Sequence, residues 1–484
     1  MYTSTRQKLS KNVSYCITKG ISDDGGLFIL DNFDGFNLSS DLVNYSYQDL
    51  TKYIFKFFLN DFTDEMIEKV VNGAYNKQNF QEKMVGLSSF GDVSFLELYH
   101  GPTMAFKDMA LTMLPHLLVA SKKINGNNKK TLILTATSGD TGGAALSGFK
   151  DLDDVKIVVL YPTKGVSNFQ EQQMHYYTGK NAMAIAVEGN FDDCQNLVKK
   201  VFTSDIKLQN LEFSSANSIN IGRLVPQIIY YFYSYFEMVR KGEIKYGDKI
   251  NYVVPTGNFG NILACYIAKK MGLFIDKIVC ASNQNNVLTD FFNTLTYDKN
   301  RNFHLTNSPA MDILISSNLE RLLYLAVNID EQLVAKLMKD LKDTGKYTLP
   351  LEYKDALNDF MAYSINKEDT VEYIKKVYNE EAYFIDPHTA VAYGAYDNIK
   401  DKLTGKTVIA STASPDKFLE TVDEIFKTGK VGIEQVKEIE AKTKCLAPQV
   451  LYDIYNTPFE KTVWAKEEME EKLIKLIGEI DENC

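Results

Sequence analysis

Short apolar, β-branched runs alternate with helical spacing along most of this chain. Leu132 to Leu134, Val155 to Leu160, Ala182 to Val187, Tyr252 to Val254, Lys277 to Cys280 and Thr407 to Ala410 each read as a strand. The segments between them carry apolar residues every three or four positions, as a helix with one buried face does. Strand and helix in alternation predict an α/β fold whose parallel or mixed sheets are covered by helices. No internal repeat, low-complexity tract or Pro/Gly-rich linker breaks this rhythm into independent modules.

The pattern changes in three places, and these define the expected organisation. Residues 1–88 are rich in Tyr, Phe and Asn, turn at Gly25-Gly26 and show helical spacing near 47–60 and 64–76, which predicts an N-terminal cap domain. Residues 89–430 are the expected catalytic core, with a small subdomain over about 131–190. Within that core, Leu319, Leu322, Leu323 and Ala326, then Leu333, Leu337 and Leu341, predict a helical insertion over about 313–380. Residues 431–484 are strongly charged and predict a helical tail anchored by Trp464.

Composition narrows the function. With 45% hydrophobic and 24% charged residues, the 484-residue chain has the make-up of a globular protein. A net charge of -10 opposes general attraction to nucleic acid or anionic membrane, both polyanions. Six scattered cysteines, with no C-x-x-C pair and no histidine at ligand spacing, point to free thiols in a reducing compartment and to no metal. No uncharged apolar stretch approaches the roughly 20 residues of a membrane helix. The expectation is a cytoplasmic enzyme acting on a small molecule.

Candidate chemistry lies in three loops, each following a strand, where α/β proteins bind ligands. The first, His100-Gly101-Pro102-Thr103-Met104-Ala105-Phe106-Lys107-Asp108, leads into a helix with apolar face Met109, Met113, Leu114, Leu117 and Leu118. A lysine at that point is desolvated and faces the positive end of the helix dipole, so its amine is poised to lose its proton and attack carbonyls. The plainer alternative is a surface lysine paired with Asp108. The second loop, Thr135 to Ala144, is a run of hydroxyls and glycines that can seat an anion or merely cap a helix. The third, Pro255-Thr256-Gly257-Asn258-Phe259-Gly260-Asn261, lets the backbone approach a phosphate. The only Gly-Lys-Thr triplet, Gly405 to Thr407, has Lys400 where a P-loop requires glycine, and G-x-G-x-x-G is absent from the third loop. One buried lysine with two anion-binding loops suits a phosphorylated aldehyde cofactor, pyridoxal 5'-phosphate (PLP), and an anionic substrate.

The strings HGPTMAFKD, TSGDTG and PTGNFGN, in this order, resemble the threonine synthase family, fold-type-II PLP enzymes related to the tryptophan synthase β chain. Tyr2 to Arg6 and Asp24 to Leu27 resemble its N-terminal domain. Glu188 to Cys194, Asn217 to Asn220, Asp386 to Ala390 and Thr412 to Phe418 extend the likeness to about residue 425. Gln7, Met109-Ala110 and Ser414 depart from the usual pattern.

The resemblance implies conversion of O-phospho-L-homoserine and water to L-threonine and phosphate. It also implies roles: Lys107 carries PLP and moves protons, Gly257, Asn258, Phe259, Gly260 and Asn261 hold the cofactor phosphate, Thr412 faces the pyridine nitrogen, and Asp140 lies beside the phenolic oxygen. Thr137, Ser138, Gly139 and Thr141 receive the substrate, and Arg223 with Asn217 and Ser218 receives its phosphate. A guanidinium grips a phosphate bidentately. Without the resemblance, Arg223 reads as an ion pair at the start of the helix through Tyr230 and Tyr235. His116 reads as a satisfied core histidine, the run Tyr230 to Phe236 as helix packing, and His388 stays open. Alternatives are another β-family PLP lyase (threonine dehydratase or cysteine synthase-like), a non-catalytic homologue that binds PLP or phosphorylated ligands, and a nicotinamide-binding doubly wound protein. The oligomeric expectation is monomer or homodimer.

Overall fold

A computed structural model describes residues 1–80, 83–137, 139–202, 204 and 206–484. Its strands begin with β1 (Thr3–Ser4), β2 (Phe28–Ile29), β3 (Gly86–Phe90), β4 (Val93–Glu97), β5 (Lys130–Ala136), β6 (Val155–Pro162), β7 (Ala182–Glu188) and β8 (Leu211–Ser214). They continue with β9 (Ile250–Pro255), β10 (Ile275–Ser282), β11 (Thr296–Asp298), β12 (Lys346–Thr348), β13 (Phe360–Ser364), β14 (Thr407–Ser411) and β15 (Thr462–Ala465).

Two sheets dominate. The larger has the order β13-β10-β9-β14-β4-β3, parallel throughout except for β3 on β4. The smaller, β15-β7-β6-β5-β8, is wholly parallel. Every residue of β4, β9 and β14 is buried, which is why Tyr252 to Val254 in β9 and Val408 to Ala410 in β14 read as unbroken apolar runs instead of alternating ones. The α/β class and the mixed sheets are as the sequence pattern predicts.

Helix starts follow their caps. Ser46 accepts from the Asp49 amide at 3.1 Å and opens helix Tyr47–Phe58, while Thr63 accepts from Met66 at 3.3 Å and opens helix Asp64–Ala74. The aromatic run Tyr230 to Phe236 lies in helix Ile221–Arg240 and is buried apart from half-buried Tyr233. Helix packing accounts for it.

Three readings of helix change. The apolar face from Met109 to Leu118 belongs to two helices, Asp108–Leu111 and Met113–Ile124, that meet at Thr112. All five of its residues are nonetheless buried. The interval 313–380 is not helical throughout: besides helices Leu319–Ala326, Glu331–Thr344 and Lys367–Glu381 it holds β12 and the edge strand β13. The tail also supplies a strand, β15, in which Trp464 stands opposite Val187 and is buried. Among the described residues no helix is long and apolar enough to cross a membrane.

Candidate active site

Because β14 pairs in parallel with both β4 and β9, three loops leave the same edge of the large sheet side by side. They are the segments after Glu97, after Pro255 and after Ser411. The second anion loop leaves the end of β5, and the Asn217–Arg223 segment follows β8, its neighbour in the small sheet. All the candidate loops therefore open from carboxyl ends of parallel strands.

Lys107 is fixed by its own loop. Phe106 donates its amide to the Thr412 carbonyl at 2.8 Å, Ala105 bridges to Ala413, and Ser414 donates to Met104 O at 3.1 Å. Thr412 is thus brought alongside the lysine segment. The Lys107 side chain is 13% exposed, and its Nζ lies 3.8 Å from Asp140 Oδ2. Burial pushes the amine down to about 8 against the pull of Asp140, and the charges of Lys417 and Arg223 add to the fall. The alternative pairing with Asp108 is overturned. That carboxylate turns back into the loop, accepting from the Thr103 amide at 2.8 Å and from its hydroxyl, and burial lifts it to about 6.

Asp140 opens helix Asp140–Phe149 immediately after Gly139, whose φ of +135° suits glycine alone; a side chain there would also strike Gln170. Burial by itself would raise the Asp140 carboxyl, but the Lys417 and Lys107 charges hold it well below the usual carboxylate range. Its Oδ1 takes Lys417 Nζ at 2.9 Å and Gln170 Nε2 at 3.2 Å. Thr137 Oγ1 accepts from the amides of Gly139 at 3.1 Å and Gly142 at 3.0 Å, so this hydroxyl shapes the loop. Thr141 is half-buried beside them. Ser138 lies outside the described residues.

The third loop is tied down by its carbonyls. Ser316 Oγ donates to Gly257 O at 2.6 Å, and Asn318 donates its side-chain and main-chain N–H to Asn258 O at 2.9 and 3.0 Å. Phe259 adopts φ +64°, and a Cβ at Gly257 would stand 2.6 Å from Ala310 O. With the carbonyls held away, the amides from Gly260 onward open helix Gly260–Lys270 without intrahelical acceptors. Asn261 Oδ1 accepts from Tyr230 and Tyr231 hydroxyls, each at 2.6 Å.

Arg223 is buried, donates Nη1 to Ala216 O at 2.9 Å, and has no acidic partner among the described residues. Burial lowers it to about 10. The ion-pair reading of this residue fails. Asn217 is exposed with Oδ1 3.4 Å from Thr135 Oγ1, and Ser218 is half-buried, 3.4 Å from both Ser317 Oγ and Asn318 Nδ2.

Two buried donors, Arg223 Nε and Asn261 Nδ2, lack any acceptor among the described residues. Unmatched buried donors call for an acceptor, because leaving them bare costs about 1–3 kcal/mol each. Around a buried amine of lowered basicity they fit an anionic aldehyde such as PLP.

Sequence reasoning missed several neighbours. Lys417, Gln170, Gln173, Ser316 and Asn318 carried no role, although Lys417 sits inside the quoted Thr412 to Phe418 string. His388 was left open: its Nδ1 lies 2.8 Å from Asp386 Oδ1 and its Nε2 accepts from the Ala310 amide at 3.2 Å. His116 is half-buried, lies against Gly73 and touches none of these groups.

Family comparison agrees with this geometry. Residues 91–414 match the pyridoxal-phosphate dependent enzyme family, and residues 1–75 match the threonine synthase N terminus. Threonine synthase of Saccharomyces cerevisiae is 36% identical over 457 residues, covering 87% of this chain and 88% of its own. Threonine synthase-like 1 of Homo sapiens is 37% identical over 446 residues, 88% of this chain and 60% of that protein. The PLP-bound threonine synthase of Brucella melitensis superposes with TM-score 0.87 at 32% identity, covering 98% of each chain. A lysine-centred site at the sheet edge, the N-terminal segment and these likenesses lead to one statement: the chain belongs to the threonine synthase family of pyridoxal-phosphate dependent enzymes.

Proposed function

We propose that this enzyme converts O-phospho-L-homoserine and water to L-threonine and phosphate, by γ-elimination followed by addition of water at Cβ. When bound, PLP supplies an electron sink for the carbon that bears the substrate amine. The observation that carries the reading is the buried Lys107 amine facing Asp140 while the Arg223 guanidinium has no acidic partner among the described residues.

Lys107 holds the cofactor and then acts through Nζ as base and acid, taking the proton from Cα and delivering protons along the chain. A value near 8 keeps a useful fraction of the amine neutral at cellular pH. The amides of Gly257 to Asn261 would hold the cofactor phosphate, Asp140 would serve the phenolic oxygen, and the Thr412 hydroxyl would serve the pyridine nitrogen, where a hydroxyl does not force protonation as a carboxylate would. Thr137, Ser138, Gly139 and Thr141 form the loop that receives the substrate carboxylate. Arg223, with Asn217 and Ser218, neutralises the leaving phosphate.

The same reading treats residues 1–88 as the N-terminal domain, 89–430 as the catalytic core and 431–484 as the tail. It places the enzyme in the cytoplasm, as monomer or homodimer, and six unpaired cysteines support a reducing compartment. Turnover in 18O-water tests the chemistry. Elimination breaks the Cγ–O bond, so the label is expected in the threonine hydroxyl and absent from the released phosphate. Label in phosphate, with homoserine as product, would mean simple hydrolysis.

A further inference from the structure

The segment after β14 carries a second buried lysine that the roles above leave unexplained. The Lys417 side chain is fully buried, and its Nζ lies 2.9 Å from Asp140 Oδ1 while donating to Thr103 O at 2.8 Å. Thr103 belongs to the loop that ends in Lys107, and Asp140 opens the helix that leaves the small sheet. One ammonium therefore joins three segments of the site. Helix Asn168–Tyr176 reinforces the same two acceptors, Gln170 reaching Asp140 Oδ1 and Gln173 reaching Thr103 O at 3.2 Å.

We propose that Lys417 is a positioning residue of this active site, holding the Asp140 carboxylate as an anion and fixing it beside the Lys107 amine. The proposal rests on the reading of Lys107 as the cofactor lysine. Asp140 divides its oxygens: Oδ1 is occupied by Lys417 and Gln170, which leaves Oδ2 to face Lys107 at 3.8 Å. A carboxylate this deeply buried keeps its charge only when paired. Lys107 shares its nitrogen with the cofactor once that is bound, so Lys417 is the cation left wholly to Asp140. The titratable groups around Asp140 are Lys417, Lys107 and His388, and those around Lys107 are Asp140, Lys417, Arg223 and Asp108. Removing Lys417 leaves desolvation to dominate, and Asp140 then takes up a proton within the neutral range.

The test compares holoenzyme of the wild type, Lys417→Met and the double variant Lys417→Met/Asp140→Asn. The absorbance of the bound cofactor is followed from pH 5 to 9, with thermal unfolding midpoints over the same range. Beyond the Asp108 carboxyl, which already titrates at about 6 in the wild type, Lys417→Met is expected to add a further transition between pH 5 and 8, moving Asp140 up by at least about three pH units from below the usual carboxylate range, a thousandfold in proton affinity. The double variant is expected to lose that transition and recover the unfolding midpoint, since a neutral pair replaces a broken one. Should Lys417→Met not fold, Lys417→Gln takes its place in the same series. A Lys417 variant with the wild-type pH curve would overturn the proposal, as would an added transition that persists in the double variant, which would be Asp108 moved by the loss of Lys417. The same unfolding series on the cofactor-free proteins reads the pair without reference to the cofactor. Borohydride reduction that fixes no PLP mass on the Lys107 peptide of the wild type contradicts the underlying reading separately.

Discussion

Lys107 keeps its amine inside the protein at 13% exposure, and the lowered basicity that follows has a measurable sign. Between about 8 and its ordinary value of 10.5 the folded, cofactor-free protein holds fewer protons at this site than the unfolded chain. Its stability contribution from Lys107 therefore rises with pH across that window, by about 3 kcal/mol at most. Denaturant unfolding of cofactor-free wild type and Lys107→Met at pH 7.5 and 10 is expected to show this gain in the wild type alone. An equal pH dependence in both would contradict the burial of a titrating amine. Lys107 was legible because its chemistry is local: an apolar loop, a helix start and a flanking strand. Its electrostatic partner was not legible, because Asp140 arrives from the other sheet while Asp108, next in sequence, turns away to Thr103. Lys417 was hidden for the same reason, since a buried cation is recognised by the anion it meets.

At the scale of elements, the glycine–asparagine loop owes its shape to a neighbour that sequence reading treated only as part of an insertion. Asn318, at the cap of helix Leu319–Ala326, holds Asn258 O with two N–H groups. On its other side Arg321 donates to Phe28 O at 2.9 Å, and Glu320 pairs with Arg6 at 2.7 Å, which ties the N-terminal segment to the same helix. Asn318→Ala is expected to leave the loop carbonyl held by the main-chain N–H alone and to weaken cofactor retention about five- to tenfold, a loss of about 1–1.5 kcal/mol. Equilibrium dialysis of PLP against the variant and the wild type checks this; unchanged retention would remove Asn318 from the account. The helices that follow Ser46 and Thr63 were legible from their apolar spacing. The break at Thr112 was not, because apolar spacing continues unbroken across it, and β13 was not, because its Phe-Met-Ala-Tyr-Ser run is short and lies among charged helices.

The whole molecule places its chemistry where two sheets meet through Asp140, Lys107 and Lys417. The alternating pattern made that α/β layout visible, but nothing local indicated that the tail closes the small sheet. β15 extends its β7 edge, and Asp481 at the chain's end accepts amides of Gln209, Asn210 and Leu211 at 2.8 to 2.9 Å beside β8. Trp464→Ala is expected to cost about 3–5 kcal/mol and to lower the unfolding midpoint by several degrees. Calorimetry is the check, and a midpoint within a degree of wild type would show that the tail is not integral to the sheet.

The products of turnover identify the reaction. Purified holoenzyme supplied with O-phospho-L-homoserine alone is expected to release L-threonine and inorganic phosphate in equal amounts, with the rate falling about 10²–10⁴-fold in Lys107→Ala. Phosphate without threonine, 2-oxobutanoate with ammonia, or a rate indifferent to Lys107 would contradict it.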